Sequence, residues 1–270
     1  MMVEFFRAHD PDLGTLWDRL LTLQAEVALG SELPALFTDP AWHRARTVID
    51  LGTGNGVFLR GVADRFPDKS YLGIDASGYL IEAARNSTRV GRVEFRRGDI
   101  LETRGRYDYA LLRLVVRHVT NHAGLVGLLE RILPEGGVAL VFDSDMGGLV
   151  FWPELPAVTS LFLRLNDLVN GRAGDALEHF LGLARSSPTL RIVRTRSFTV
   201  PSTLGTNLDL MREQYALTVE LVRRTTDLDT SEAEAELAAW RIRRDAFSQF
   251  GMVQIHIKKN GEPGDSRSNS

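Results

Sequence analysis

The chain has 270 residues, 44% of them hydrophobic and 25% charged, and its 32 basic and 35 acidic side chains leave a net charge of −3. This balance is typical of a soluble globular protein and gives no positive field that would gather nucleic acid or an anionic membrane. The absence of cysteine excludes disulfides, cysteine-ligated zinc, iron–sulfur clusters and a cysteine nucleophile. The sequence shows no targeting leader and no apolar run of about 18 residues, so we expect a cytoplasmic protein that does not bind a membrane.

The first 46 residues are predicted to be a helical segment that precedes the main domain. Asp10 and Pro11 suit the start of a helix, apolar residues follow at helical spacing, and Gly30 is a plausible end. A second short segment, 36–45, leads into the first strand.

Short apolar strands alternate with helices between residues 47 and 145. The predicted strands are 48–51, 70–75, 93–95, 107–112 and 138–143, and the predicted helices are 57–66, 77–86 and 121–133. This alternation is typical of a parallel sheet that is covered by helices on both faces.

The alternation loosens after residue 145. We predict helices at 155–184, interrupted near Gly171 and Gly174, at 208–224 and at 231–250, with strands at 190–200 and 252–258. Residues 260–270 are polar and predict a disordered tail. The expected organisation is therefore one domain, 47–259, with helical insertions at about 151–185 and 206–250.

A glycine-rich loop follows the first predicted strand. Asp50 and Leu51 precede Gly52-Thr53-Gly54-Asn55-Gly56, whose glycines allow a tight turn against which a ligand can lie at the start of the next helix. The spacing differs from the GxGxxG motif of dinucleotide-binding proteins, because Val57 stands where that motif has its third glycine.

Two aspartates follow the next two strands. Asp75 stands 23 residues after Gly52, where a carboxylate can accept hydrogen bonds from ribose hydroxyls. Asp99 lies in Gly98-Asp99-Ile100, where its carboxylate can accept from an adenine amino group. Together they predict an adenosine site at the carboxyl ends of parallel strands. Each also has a structural interpretation, Asp75 as a helix cap and Asp99 as a turn residue.

These motifs, followed by Leu133-Pro134-Glu135-Gly136-Gly137, resemble those of class I S-adenosylmethionine-dependent methyltransferases over about residues 45–145. The resemblance implies an α/β, Rossmann-like fold with a doubly wound, mostly parallel seven-stranded sheet. It also implies that S-adenosylmethionine is the cofactor. The N-terminal helices and the helices of the C-terminal half are additional to the minimal fold, and we expect them to form a lid, because a small substrate has to be shielded from water during methyl transfer.

The resemblance also implies roles for single residues. Gly52 and Gly54 would face the methionine part of the cofactor, and Asp50 would orient its amino group. Asp75 would bind the ribose, Asp99 with Ile100 the adenine, and Arg113 with Leu114 would line the path to the methyl group. The implied cofactor-binding positions are Asp50, Gly52, Thr53, Gly54, Asn55, Gly56, Asp75, Ala76, Asp99, Ile100, Arg113 and Leu114.

His118 is the candidate general base, and Arg113 is the second catalytic candidate. His118 follows the fourth strand, and an imidazole pKa of about 6.5 suits proton transfer, but His118 could also begin a helix and pack against the core. His122 is similarly placed and is expected to be more exposed. Asp143 and Asp145 follow the fifth strand and could bind a cation, although loop hydrogen bonds are the commoner role, so no metal is predicted.

Phe151 and Trp152 follow the fifth predicted strand. They could wall a substrate pocket or hold a cationic amine, and the alternative is packing of the added helices.

The sequence favours a small-molecule acceptor, as in specialised natural-product metabolism. Cysteine-dependent pyrimidine methylation is excluded, and Leu112-Arg113-Leu114-Val115 replaces the Asn/Asp-Pro-Pro-aromatic loop of enzymes that methylate nucleic-acid amino groups. The remaining alternatives are a cyclase that binds S-adenosylmethionine, a protein methyltransferase and a dinucleotide-dependent reductase. A homodimer or higher homo-oligomer is compatible with the added helices.

Overall fold

The computed structural model describes residues 11–87, 91–170 and 176–261. In these ranges the helices are α1 (Pro11–Phe37), α2 (Pro40–Arg44), α3 (Val57–Arg65), α4 (Gly78–Asn86), α5 (His122–Ile132), α6 (Pro156–Asn170), α7 (Ala176–Ser186), α8 (Asn207–Thr225) and α9 (Ser231–Arg241). The strands are β1 (Thr47–Leu51), β2 (Ser70–Asp75), β3 (Val93–Arg97), β4 (Tyr109–Arg113), β5 (Val138–Trp152), β6 (Leu190–Pro201) and β7 (Phe247–Lys259). Two short 3₁₀ helices, Ile100–Glu102 and Val116–His118, follow β3 and β4.

The seven strands form one sheet in the order β3-β2-β1-β4-β5-β7-β6. Strands β1 to β5 pair in parallel, and β7 lies antiparallel between β5 and β6. The chain turns from one side of the sheet to the other between β1 and β4, which creates a crevice at the carboxyl ends of these strands. The predicted α/β, Rossmann-like, mostly parallel seven-stranded sheet is confirmed.

Alternate residues of the central strands feed two cores on opposite faces of the sheet. Val48 and Leu111 pack with Trp42 in one core, whereas Ile49 and Leu112 belong to the other. This arrangement follows from the two-residue period of a strand, and it explains why these strands read as continuous apolar runs.

Helix α1 is longer than predicted. The helix continues through Gly30 to Phe37 because Ala28, Leu33 and Leu36, all 3% exposed or less, keep one face of the helix in the core. Tertiary burial thus overrides the low helix propensity of one glycine. The prediction that Gly30 ends the helix was wrong, and Asp10, the predicted start, lies outside the described residues.

The antiparallel part of the sheet is also larger than predicted. Strand β5 runs to Trp152 instead of ending at Asp143, because β7 pairs with it to its end, with a shift in register between Asp145 and Val150. Helix α9 ends at Arg241, so residues 247–250, predicted as helix, are the start of β7. The predicted interruptions at Gly171 and Gly174 and residues 262–270 of the predicted tail lie outside the described residues.

Candidate active site

A cavity of about 920 Å³ opens at the carboxyl ends of β1 to β4. Its wall combines the glycine-rich loop and the strand ends with side chains from α1, α6 and α8. A cavity of this size is in the upper range of ligand-binding pockets. It is located where the strand order reverses, as the sequence predicts.

The glycine-rich loop forms the floor of this cavity. Gly52 and Gly54 have φ angles of 79° and 55°, a region that favours glycine. A Cβ atom on Gly52 would lie 2.4 Å from Cγ2 of Val115, and one on Gly54 would lie 2.9 Å from Cδ1 of Leu21. Position 52 therefore requires glycine, whereas a side chain at Gly54 would displace Leu21, and the loop presents bare backbone to the cavity.

Two buried polar atoms of this region point to a ligand. Asp50 Oδ1 and Thr53 Oγ1 are both buried, and although the Thr53 side chain interacts with the Asp50 carboxylate, neither atom makes a hydrogen bond of good geometry with the described residues. Burial raises the pKa of Asp50 to about 7, although the interaction with Thr53 and the positive charge of Arg113 oppose this rise. Buried polar atoms are normally hydrogen-bonded, so a ligand with a donor, such as an ammonium group, fits this position.

Asp75 is held rigidly at the end of β2. Its Oδ2 accepts a hydrogen bond from the Gly54 N–H at 2.8 Å, and its Oδ1 accepts from the Ser77 N–H at 2.9 Å. Burial raises the pKa of this carboxyl. Ser77, whose hydroxyl accepts from the Leu80 N–H, caps α4, so Asp75 is not the cap residue.

Asp99, Ile100 and Ala76 also line the cavity. Asp99 has the turn role that the sequence offers, because its exposed carboxylate accepts from the Leu101 N–H at 2.9 Å and caps the first 3₁₀ helix; its role toward an adenine stays a prediction. Ile100 is buried beside it.

Asn55 and Gly56 differ from the other loop residues. The Asn55 side-chain amide donates to the Asp18 carboxylate at 2.8 Å and to the Thr22 hydroxyl at 2.9 Å. These hydrogen bonds attach the glycine-rich loop to α1. Gly56 is not part of the cavity wall, and a Cβ there would lie 2.4 Å from the Phe95 ring. The structure thus gives these two residues packing and tethering contacts.

Arg113 lines the cavity but is bound to α1. Its Nε donates to both carboxylate oxygens of Glu32 at 2.9 Å, and its Nη2 donates to the Gln24 carbonyl at 2.9 Å. Glu32 is fully buried, which raises its pKa while the guanidinium opposes that rise. Sequence reasoning missed Glu32, although an acidic residue within the apolar face of α1 was a signal for a buried partner. Leu114, next to Arg113, lies on the cavity wall with a φ of 55°.

His118 lies on the cavity wall, and burial lowers its pKa to about 4. The imidazole is therefore neutral at pH 7. The adjacent Arg117, which the sequence did not single out, donates to Asp143 and, through Nη1, to Asn166 at 3.1 Å. Asp143 is thus an ion-pair partner, and Asp145 Oδ1 accepts from the Gly147 N–H at 3.0 Å, as expected for loop carboxylates.

Several other candidates lie away from the cavity. His122 is buried, not exposed as expected, and it contacts His179 and the Val116 carbonyl. Phe151 packs against Tyr215 and Trp240, and Trp152 is 61% exposed; neither lines the cavity. Core packing is the interpretation that the structure supports for Phe151.

The part of the cavity beyond the strand ends is largely apolar, although Ser144, Asp145, Asn166, Gln214 and three threonines also line it. Its wall comes from β5, α6, α8 and β7, and its apolar members are Met146, Leu149, Phe162, Leu165, Leu168, Leu221, Val222, Phe250 and Met252. The cavity thus has a polar half at the strand ends and an apolar half under the helices. Across the described ranges, no helix combines the length and apolarity that crossing a membrane requires.

Comparison with known proteins identifies relatives. A family model described as a methyltransferase domain matches residues 20–168, more than half of the chain. Trans-aconitate 2-methyltransferase of Deinococcus radiodurans is 32% identical over 117 residues, which are 43% of this chain and 44% of that protein. The chain thus spans less than half the length of the curated relatives that it matches.

Solved structures share the fold. The plantazolicin methyltransferase BpumL, solved in complex with SAH, aligns with a TM-score of 0.52 and 14% identity, covering 94% of this chain and 92% of that one. The [4+2]-cyclase SpnF aligns with a TM-score of 0.53 and 16% identity, covering 92% and 95%. At such identities the similarity concerns the fold alone.

Proposed function

We propose that this chain, which belongs to the class I S-adenosylmethionine-dependent methyltransferase family, transfers the methyl group of S-adenosylmethionine to a small organic acceptor. The observation that carries the proposal is the continuous cavity with two unlike halves. Its polar half has the acceptor groups that an amino acid and a nucleoside need, and its apolar half leaves room for a second molecule.

The residues of the polar half fit the cofactor. Asp50 Oδ1, which is buried and makes no hydrogen bond of good geometry with the described residues, would accept from the cofactor's ammonium group. Asp75, fixed by two backbone N–H groups, would accept from the ribose hydroxyls, and Asp99 with Ile100 would bind the adenine. Gly52 and Gly54 leave the backbone accessible to the methionine part.

For methyl transfer, the protein mainly has to position the acceptor and exclude water. When bound, the cofactor would supply a methyl group attached to a sulfonium sulfur. After transfer of this methyl group, the rest of the cofactor is a neutral thioether. The residues of this chain align the acceptor with that group, and such alignment is worth about 7–11 kcal/mol. The helices α1, α6 and α8 line the cavity, and we propose that they shield a bound acceptor from water. We therefore propose that segment 1–46 and the insertions at about 151–185 and 206–250 act as the lid of domain 47–259.

His118 is proposed to accept the acceptor's proton where that proton has to leave. Its imidazole is neutral at pH 7, so the proton-accepting form is fully present. The low pKa makes it a weak base that suits an acidic hydroxyl. If His118 acts in this way, the acid limb of the rate profile lies near pH 4 and disappears in His118→Ala.

The acceptor is tested by incubating the protein with S-adenosylmethionine whose methyl group carries three deuterium atoms. The acceptor set contains metabolite extracts and trans-aconitate, the substrate in the name of the curated relatives. We expect a small molecule whose mass increases by one trideuteriomethyl group minus one hydrogen. Product that forms without this gain would overturn the proposal and favour a cyclase; labelled protein would favour a protein methyltransferase.

A further inference from the structure

The apolar half of the cavity indicates which kind of acceptor the chain takes, an inference that rests on the proposed function. Helix α8 supplies much of this wall, and the hydroxyl groups of a threonine on it and of Thr226, which caps its end, donate to the backbone of α8. Thr218 Oγ1 donates to the Gln214 carbonyl and Thr226 Oγ1 to the Val222 carbonyl, both at 2.9 Å. The Tyr215 hydroxyl is bound to the Ser248 hydroxyl at 2.7 Å. These groups have their donors already in use and add little polarity to the wall.

Gln214 is the exception on this helix. Its side chain lines the cavity, the residue is 9% exposed, and its Oε1 is buried with no hydrogen-bond partner among the described residues. A buried carbonyl oxygen without a partner is unfavourable, and a ligand that donates a hydrogen bond to it removes this cost.

The charges of the wall disfavour an anionic acceptor. The wall contains four aspartates, Asp50, Asp75, Asp99 and Asp145, and three arginines, Arg97, Arg113 and Arg117. Two of these arginines are already paired with buried carboxylates, Arg113 with Glu32 and Arg117 with Asp143. The third, Arg97, ends β3 in the polar half and donates to the Ala76 carbonyl. A carboxylate in the apolar half would lose its water, and it would gain no cation there, because among the arginines of the described wall only Arg97, in the polar half, lacks a carboxylate partner.

We infer that the acceptor is a largely apolar molecule without carboxylate groups that donates one hydrogen bond, from a hydroxyl or an N–H, to Gln214 Oε1. A tricarboxylate does not meet these requirements. The acceptor of this chain thus differs in chemical class from the substrate that names the relative of Deinococcus radiodurans.

The test is a binding measurement on the protein saturated with S-adenosylhomocysteine, using 2-naphthol, naphthalene and trans-aconitate as probes. The two aromatic probes differ by one hydroxyl group. We expect 2-naphthol to bind about three- to tenfold more tightly than naphthalene, as one buried hydrogen bond provides, and trans-aconitate not to bind measurably.

The variants locate the hydrogen bond. Gln214→Leu should remove the preference for 2-naphthol and leave naphthalene affinity unchanged. Thr218→Val, one turn away, is the matched control and should keep the preference, because that hydroxyl donates to its own helix. Gln214→Met provides the same test if the leucine variant does not fold.

Failure of this inference and failure of the proposed function are distinguishable. If S-adenosylhomocysteine does not bind, the proposed function is wrong. If it binds but trans-aconitate also binds, if neither aromatic probe binds, or if Gln214→Leu keeps the preference for 2-naphthol, the inferred acceptor class is wrong.

Discussion

At the scale of single residues, the protonation state of Asp50 connects burial to ligand binding. Its carboxyl has a pKa of about 7 in the folded chain against an ordinary value of 3.8, with burial as the main cause. A ligand ammonium would stabilise the ionised form and thus favour loss of this proton. We therefore expect the Asp50 carboxyl to lose its proton when the proposed cofactor binds.

We expect S-adenosylhomocysteine affinity to rise between pH 6 and pH 7.5, because the ionised fraction of Asp50 rises over this range. Asp50→Asn should bind about 10- to 100-fold more weakly at pH 7.5, the loss that a charge-assisted hydrogen bond implies, and should lose most of the pH dependence. Titration calorimetry at both pH values measures this. Equal affinity of the two proteins would contradict the role of Asp50.

The stability of the free protein should change in the opposite sense. A carboxyl whose folded pKa is raised contributes stability below its unfolded pKa, and this contribution is lost as the pH rises through about 7. The asparagine in the variant Asp50→Asn does not titrate. As the pH rises from 5 to 8, thermal unfolding should therefore show that the variant becomes more stable relative to the original chain.

At the scale of elements, α1 is attached to the sheet by polar contacts on the cavity side. Arg113 at the end of β4 binds Glu32, and Asn55 of the glycine-rich loop binds Asp18 and Thr22. The Arg113–Glu32 pair is buried, with side chains 9% and 0% exposed. These contacts position the helix that supplies Trp17, Leu20 and Leu21 to the cavity wall.

Glu32→Ala should cost about 3–5 kcal/mol of the free energy of unfolding, because it leaves the buried guanidinium without its counter-ion. Glu213→Ala is the matched control: Glu213 pairs with Arg19 of the same helix, but both side chains are more than 40% exposed, so about 0–1 kcal/mol is expected. Urea unfolding measures both. Similar small losses would show that the buried pair does not hold α1.

The parallel part of the fold could be predicted because each of its strands is a local apolar segment that ends in a recognisable residue. Strand β2 (Ser70–Asp75) has the predicted bounds, and Asp50, Asp75 and Asp99 come together as expected. The extension of β5 and the early start of β7 could not be predicted, because each depends on pairing with a strand about 100 residues away in sequence. The ion pair between Arg113 and Glu32 could not be predicted either, because the two residues are 81 positions apart in the sequence.

At the scale of the whole molecule, the two halves of the cavity have different origins in the chain. The polar half comes from consecutive strand ends, whereas the apolar half combines residues from β5, α6, α8 and β7. Only the first half carries a local sequence pattern, so the proposed cofactor site could be expected from sequence and the proposed acceptor site could not. The domain organisation and the oligomeric state remain predictions.

The proposed cofactor site is tested most directly by titrating the full chain and its Asp75→Asn variant with S-adenosylhomocysteine in a calorimeter. We expect saturable binding of one S-adenosylhomocysteine molecule per chain. Asp75→Asn should bind it at least about tenfold more weakly, because the ribose hydroxyls lose a charged acceptor. No binding, or equal binding by both proteins, would contradict the assignment of this cavity to the cofactor.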